Sequence, residues 1–308
     1  EDITRKLPVI DTEHWQKFLR EEKPDFIITG TSGDDFSERF LWQAARKEGI
    51  SSFAILDQWI NLGLRFSAYG LCDKDKYEKN PVHPFLPDRI LVMNEEARQE
   101  MINEGIDGGL ILVSGQPYFD LLLRKRAVNT RERDCAAREK LGISPRDYVV
   151  IFVSESISQD YAVPAGEEPY WGYDEKTIFK DLVASLLTLS REGSISFTVL
   201  VKKHPLEIND SYLKMFREMD GGNMQVRVVE GSLDPWDLLG AADLVCGMSS
   251  MLLLESILLG KPTLSIQIGL KRDNPCVLQQ KGVLTSILDR ADLERALDVY
   301  QQAVALTP

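Results

Sequence analysis

Apolar residues fall into short runs that alternate with amphipathic stretches, the pattern of parallel strands joined by helices. Two such blocks are visible. In the first, Phe26–Thr29, Ser52–Leu56, Ile90–Met93 and Leu110–Val113 are short and apolar on both faces, as expected of strands buried in a parallel sheet. Between the first two, Phe36, Phe40, Leu41 and Ala44 share a helical face, with Ser32 or Asp34 as the expected cap and Gly49 as the stop. The second block is more regular. Strands are expected at Tyr148–Val153, Phe197–Val201, Val226–Val229, Asp243–Cys246 and Thr263–Ile266. Ile178, Leu182, Leu186 and Leu189 make one helical face between them, and Leu293, Leu297, Tyr300 and Val304 make the face of the last helix.

Strand and helix repeated this often predict an α/β protein with two Rossmann-like, doubly wound domains and right-handed crossovers. The Arg-rich segment Leu123–Lys140 has no strand pattern and reads as a linker followed by the first helix of the second domain. We place the boundary near Val128, giving domains 1–128 and 129–308. The first block has fewer strands than the roughly five or more of a complete Rossmann-type domain. This leads us to expect a natural protein that continues upstream of Glu1, with the first domain truncated at its N-terminus.

Composition narrows the function classes. With 308 residues, 44% apolar and 27% charged, the chain is long enough for real cores and has neither a disordered nor a fibrous profile. Thirty-six basic against 48 acidic residues give a net charge of −12, the wrong sign for neutralising nucleic-acid phosphates. The four cysteines, Cys72, Cys135, Cys246 and Cys276, contain no CxxC pair and read as free thiols of a reducing compartment. With only three histidines, no metal site is expected. Ala241–Leu270, the most apolar region, is broken by Asp243, Glu255 and Lys261, short of the roughly 20 apolar residues a membrane span needs. The start at Glu1 does not resemble a signal peptide. A cytoplasmic location is expected; peripheral membrane contact and oligomeric state stay open.

Ligands of open parallel sheets bind beyond the carboxyl ends of the strands. There, Lys202, Lys203 and His204, stopped by Pro205, bring two cations and an imidazole to one strand end, which suits a phosphate or equally a solvated turn. After the Asp243–Cys246 strand, Gly247 permits a tight turn, and Ser249 or Ser250 caps the next helix. The free N–H groups of that helix start would face the crevice as an anion site. Glu255 would point back toward a ribose hydroxyl, while Leu252, Leu253, Ile257 and Leu258 would be buried. In the first block, Gly30, Thr31 and Ser32 form a glycine and hydroxyl cluster ahead of Asp34, without a Walker lysine or GxGxxG spacing. Asp57, Gln58 and Trp59 follow the second strand and set an acid beside an aromatic platform, which suits a sugar hydroxyl or a structural loop. Ser114–Asp120 reads mainly as a turn into a helix, through Gly115 and Pro117. No GxSxG elbow, HExxH helix or paired-carboxylate motif occurs, which disfavours hydrolases of those types.

In order along the chain, the Gly30–Ser32 strand end, Ser114–Asp120, Lys203–Pro205, Ala242–Ser250 with Glu255, and Gly260–Pro262 resemble the two-domain GT-B superfamily. The set is most similar to the branch of UDP-N-acetylglucosamine 2-epimerases, CDP-glycerol glycerophosphotransferases and capsule-polysaccharide transferases. The resemblance covers almost the whole chain and implies two lobes facing a cleft, with a nucleotide-linked donor held mostly by the second. It implies the diphosphate at Ser249 and Ser250, the ribose at Glu255, His204 on phosphate or leaving group, and the base near Glu230 and Gly231. Epimerases of this branch carry a His-Val-Glu-Ala-Gly-Leu-Arg-like segment where this chain has Asp57–Arg65, and only the Gly63–Arg65 tail matches. They also carry His-Pro-Asn where Leu206 stands and Ser-Gly-Gly at Ser249–Met251, so transfer is favoured over epimerisation.

The expected function is transfer of a glycosyl or polyol-phosphate group from a UDP- or CDP-type donor to a glycan acceptor of surface-polysaccharide synthesis, without a cofactor. His204, Asp57 and Asp34 are the expected catalytic residues, the aspartates as candidate bases for the acceptor hydroxyl. Lys203, Gly231, Gly247, Ser249, Ser250 and Glu255 would bind nucleotide and phosphate, with Gly30, Thr31, Ser32 and Gln58 on the acceptor side. The rivals are a sugar-nucleotide epimerase, a non-catalytic two-lobed binding protein, and a transferase that has lost its catalytic acid.

Overall fold

A computed structural model describes residues 11–305, apart from 127–129, 165, 193–194, 208–210, 220, 223 and 230–232 and the side chains of 72, 130, 131, 192, 301 and 303–305. The chain divides into two compact units, Glu1–Pro117 and Tyr118–Pro308. The division falls ahead of the boundary expected near Val128, which lies outside the described residues. Its cause is the helix Pro117–Arg126, whose side chains engage the second unit: Tyr118 donates to Glu255 and the Lys125 ammonium lies 3.3 Å from the centre of the Trp236 ring.

In the first unit, β1 (Phe26–Thr29), β2 (Ser51–Ile55), β3 (Arg89–Val92) and β4 (Ile111–Val113) form a parallel sheet in chain order. All four lie where the apolar runs predict them. The helix after β1 starts later than expected, at Ser37, and neither Ser32 nor Asp34 caps it. The Ser32 hydroxyl instead accepts the Asp34 and Asp35 amides, and Asp34 accepts the Leu71 amide, so both side chains are used inside the loop. Gly49 ends the helix in the left-handed region, as its position predicts. The buried face of this helix is Arg39, Trp42, Ala44 and Ala45, rotated from the expected one, because a buried cation replaces an apolar residue in it.

In the second unit the order is β10–β9–β8–β5–β6–β7, all parallel, with β5 (Tyr148–Val153), β6 (Phe197–Lys202), β7 (Gln225–Val229), β8 (Leu244–Gly247), β9 (Thr263–Ile266) and β10 (Ser286–Ile287). Strand order reverses beside β5, whose neighbours are β6 on one side and β8 on the other. Every residue of β5 is buried, as a central strand covered on both faces requires. The helix Glu175–Glu192 lays Ile178, Leu182 and Leu186 onto this core, and Phe152 meets Phe179 at 5.5 Å and Tyr212 at 6.1 Å between ring centres. Leu293 and Leu297 of the last helix join the same core. The unexpected β10 has two residues, too few for a periodic signal.

Candidate functional site

The strand reversal places the carboxyl ends of β5, β6 and β8 side by side, the position at which open α/β sheets bind ligands. A cavity of about 200 Å³ lies there. Glu155 and Ser156 reach it from the end of β5, His204 from the end of β6 and Ser249 from the end of β8. Tyr161 and Trp171, on the segment between β5 and the helix Glu175–Glu192, add aromatic walls at 5.5 Å between ring centres and 74° between planes.

Gly247 closes β8 without a left-handed φ. It is required by proximity instead: a Cβ there would meet the Val153 carbonyl oxygen at 3.1 Å and the Val153 Cβ and Leu253 at 3.2 Å. Its small size, more than turn freedom, lets the ends of β5 and β8 approach. Ser250 is the cap of the helix Met251–Leu258, its Oγ accepting the Leu252 amide at 3.2 Å. Within that helix Leu253 and Leu254 are buried, while Leu252, Ile257 and Leu258 are half-buried.

The expectation of free amides at this helix start is overturned. The Ser249 and Ser250 N–H groups donate to Oε1 of Glu155 at 2.6 and 3.0 Å, and the Ser249 hydroxyl donates to Oε2 at 2.5 Å. The amides point where the sequence predicts, and a carboxylate from the neighbouring strand end already neutralises them. Burial pushes the Glu155 carboxyl above its ordinary range, against the opposing pull of these donors. Its one advance signal is an acid two residues past the end of an unbroken apolar strand.

His204 is held by short local contacts. Its Nδ1 accepts the Leu206 amide at 3.3 Å and lies 3.3 Å from the Ser156 hydroxyl, which itself donates to Asp160. With Nδ1 accepting, the neutral ring carries its proton on Nε2 as a donor. The Glu207 carboxylate ties the turn together, accepting the His204 amide at 3.4 Å and the Tyr212 hydroxyl at 2.6 Å.

Other expected residues lie elsewhere. Among the described residues, none of those lining the cavity is a lysine or arginine, so Lys203 stands at the β6 end without forming its wall. Glu255 also lies off the cavity lining; its carboxylate accepts the Tyr118 hydroxyl at 2.9 Å, and burial raises its pKa. Glu230 and Gly231 lie outside the described residues. In the first unit, Thr31 and Gln58 meet at Arg65, whose guanidinium donates to the Thr31 carbonyl at 2.7 Å and the Gln58 amide oxygen at 3.1 Å. Asp57 adds charge attraction to the same arginine. Gly30 precedes this cluster, and the Ser32 carbonyl accepts from Arg39 at 3.2 Å. Asp34 stands apart, bonded to the Leu71 amide at 2.8 Å. Among the described residues there is no group of three or more His, Cys, Asp or Glu that could hold a metal ion, and no helix long and apolar enough to cross a membrane.

No family model matches the sequence, and no curated protein matches it. Solved structures do match in shape. UDP-GlcNAc 2-epimerase from Methanocaldococcus jannaschii superposes with a TM-score of 0.60 at 17% identity, over 93% of this chain and 73% of that one. The Neisseria meningitidis UDP-GlcNAc 2-epimerase bound to UDP-GlcNAc gives 0.58 at 15%, over 96% and 72%. HepE from Anabaena, in complex with UDP-glucose, gives 0.51 at 12%, over 96% and 73%. The chain has a GT-B-type fold. Within that fold, the cavity, the β6 turn and the helix start after β8 all belong to the second unit.

Proposed function

We propose that the chain is a nucleotide-sugar-acting enzyme that transfers a glycosyl or polyol-phosphate group from a UDP- or CDP-type donor to a glycan acceptor. The observation that carries this reading is the convergence of His204 and Ser249 on one cavity at the strand reversal of the second sheet. Structures of the same fold hold UDP-GlcNAc and UDP-glucose, which supports a nucleotide-linked ligand here. A departing nucleotide phosphate gathers negative charge, and donors already aimed at that charge lower the barrier. The Nε2–H of His204 is such a donor, whereas the Ser249 and Ser250 amides are engaged by Glu155. Asp57, beside Arg65, is our candidate for taking the acceptor proton, ahead of Asp34, whose carboxylate is engaged by the Leu71 amide.

Epimerisation is the second reading, favoured by the epimerases among the matching structures. A thermal-shift screen with UDP, CDP, GDP and their sugars is the first test, since a ligand selective for the native state raises its melting point. UDP or CDP should raise it, and His204→Ala and Ser249→Ala should each reduce the shift. A shift unchanged by both variants places the ligand elsewhere. Solvent deuterium entering C2 of UDP-GlcNAc would decide for epimerisation, whereas nucleotide release that depends on an added acceptor would decide for transfer.

A further inference from the structure

The amide seat after β8 is already filled by an anion. One carboxylate, Glu155, receives two backbone N–H groups and a serine hydroxyl at 2.5–3.0 Å, and it is the acceptor of both amides among the described residues. Two anions cannot share such a place, because like charges in a poorly hydrated site disfavour one another. Among the described residues, the cavity wall supplies no lysine or arginine to offset a second charge. Asp160 adds another acid, and among the described residues His204 is the one basic side chain of the wall. A phosphate reaching these amides must therefore displace the carboxylate.

A landing place exists. The Tyr173 side chain is fully buried and lines the same cavity, and among the described residues its hydroxyl has no hydrogen-bond partner. Buried hydroxyls without partners are uncommon, since the lost hydrogen bond is not regained from water. Glu155 lines the same cavity, and burial together with the Glu155 charge raises the pKa of this hydroxyl. A tyrosine O–H is a donor, which is what a displaced carboxylate needs.

We propose that Glu155 is the resident anion of a phosphate seat, exchanged on binding for a phosphate group of a nucleoside diphosphate while its carboxylate turns to the Tyr173 hydroxyl. This rests on the nucleotide-linked ligand of the proposed function and names the residue that sets its affinity. The exchange makes affinity for phosphate depend on what holds Glu155 in each position. Binding of the uncharged nucleoside is independent of it.

Calorimetric titration with UDP and uridine tests the exchange on wild type, Glu155→Ala, Glu155→Gln, Tyr173→Phe and the Glu155→Ala/Tyr173→Phe double variant. Glu155→Ala should bind UDP at least tenfold more tightly than wild type, and uridine with unchanged affinity. Glu155→Gln keeps the size and an acceptor but no charge, and should fall between; it decides the matter if the alanine variant does not fold. Tyr173→Phe should weaken UDP binding several-fold in wild type and leave it unchanged when Glu155 is already alanine. If wild type binds UDP and removing the Glu155 charge leaves affinity equal or lower, the exchange is overturned while the nucleotide reading stands. If neither wild type nor the Glu155 variants bind UDP, CDP or GDP, the nucleotide reading itself fails and the exchange with it.

Discussion

The strand ends of the two units are built on opposite charges. In the first, the fully buried Arg39 donates to six backbone carbonyls, those of Ser32, Gly33, Leu64, Arg65, Ser67 and Tyr69, at 2.8–3.3 Å. In the second, Glu155 receives amides and a hydroxyl of the β8 loop. Each device satisfies loop backbone that would otherwise be buried unpaired. They differ in what surrounds the charge. Arg39 is enclosed by its acceptors and by the Phe36 ring, 3.9 Å from the guanidinium carbon, while Glu155 borders a cavity. The first arrangement fixes loops; the second fixes a loop and leaves an exchangeable charge facing open space.

Removing the arginine should break this contrast most severely. Burial pushes the Arg39 guanidinium down to about 10, still charged at neutral pH, and its charge is spread over carbonyl dipoles. Arg39→Met keeps an unbranched apolar stem and takes the donor from the Ser32, Gly33, Arg65 and Ser67 carbonyls, while Leu64 keeps the Ser67 amide and hydroxyl and Tyr69 keeps the Ser67 hydroxyl. The expected loss is about 3–5 kcal/mol, in the range of other broken buried charge networks. Urea unfolding followed by tryptophan fluorescence checks it, because Trp42 packs within the same core. A loss below about 1 kcal/mol would show that the loops around Ser32 and Ser67 hold their shape without the cation.

These two charged groups are also where the sequence was least informative. The β-strands were legible because parallel strands are apolar on both faces, and Tyr148–Val153 or Phe197–Lys202 can be little else. The strand reversal follows from the repeated βα pattern, so the cavity's neighbourhood was legible too, through His204 and Ser249. Arg39 and Glu155 obey no local period. Arg39 is buried because carbonyls from a segment some 25 to 30 positions away converge on it, and Glu155 because amides 94 and 95 positions away do. Burial of a charge is decided by such distant partners, which leave no pattern around the charged residue itself. Lys203 shows the converse, since a basic residue beside a promising turn did not become part of the cavity wall.

A smaller effect tests how closely the β5 and β8 ends must approach for the seat to form. Gly247→Ala puts a methyl group 3.1–3.2 Å from the Val153 carbonyl oxygen and Cβ, neither of which is the end of a flexible chain. Overpacking of this kind costs about 1–3 kcal/mol. Because the relief is for β8 to move away from β5, the Glu155 carboxylate should also lose its fit to the Ser249 amide. Stability should fall by that amount, and any melting-point rise given by UDP or CDP should shrink with it. Full stability with an intact shift would mean that the strand ends have slack.

The smallest effect separates Glu155 from another acid of the same unit, the half-buried Glu255. Glu255 lies one turn into the helix Met251–Leu258 and has one described partner, the Tyr118 hydroxyl. Burial raises its pKa, and that hydrogen bond opposes the rise. A folded-state pKa above the unfolded one means that the folded chain keeps the proton to higher pH. The stability this group contributes is therefore fully present below the unfolded carboxylate pKa and is lost as pH rises through the folded value. Glu255→Gln abolishes the titration, so its stability relative to wild type should climb across that window and level off above it. Melting curves of both proteins between roughly pH 4 and pH 8 bracket the ordinary carboxylate range and its upward shift. A difference that stays flat would mean that one phenolic donor offsets the burial of a carboxylate, and the several donors gathered on Glu155 would then exceed what neutralising it requires.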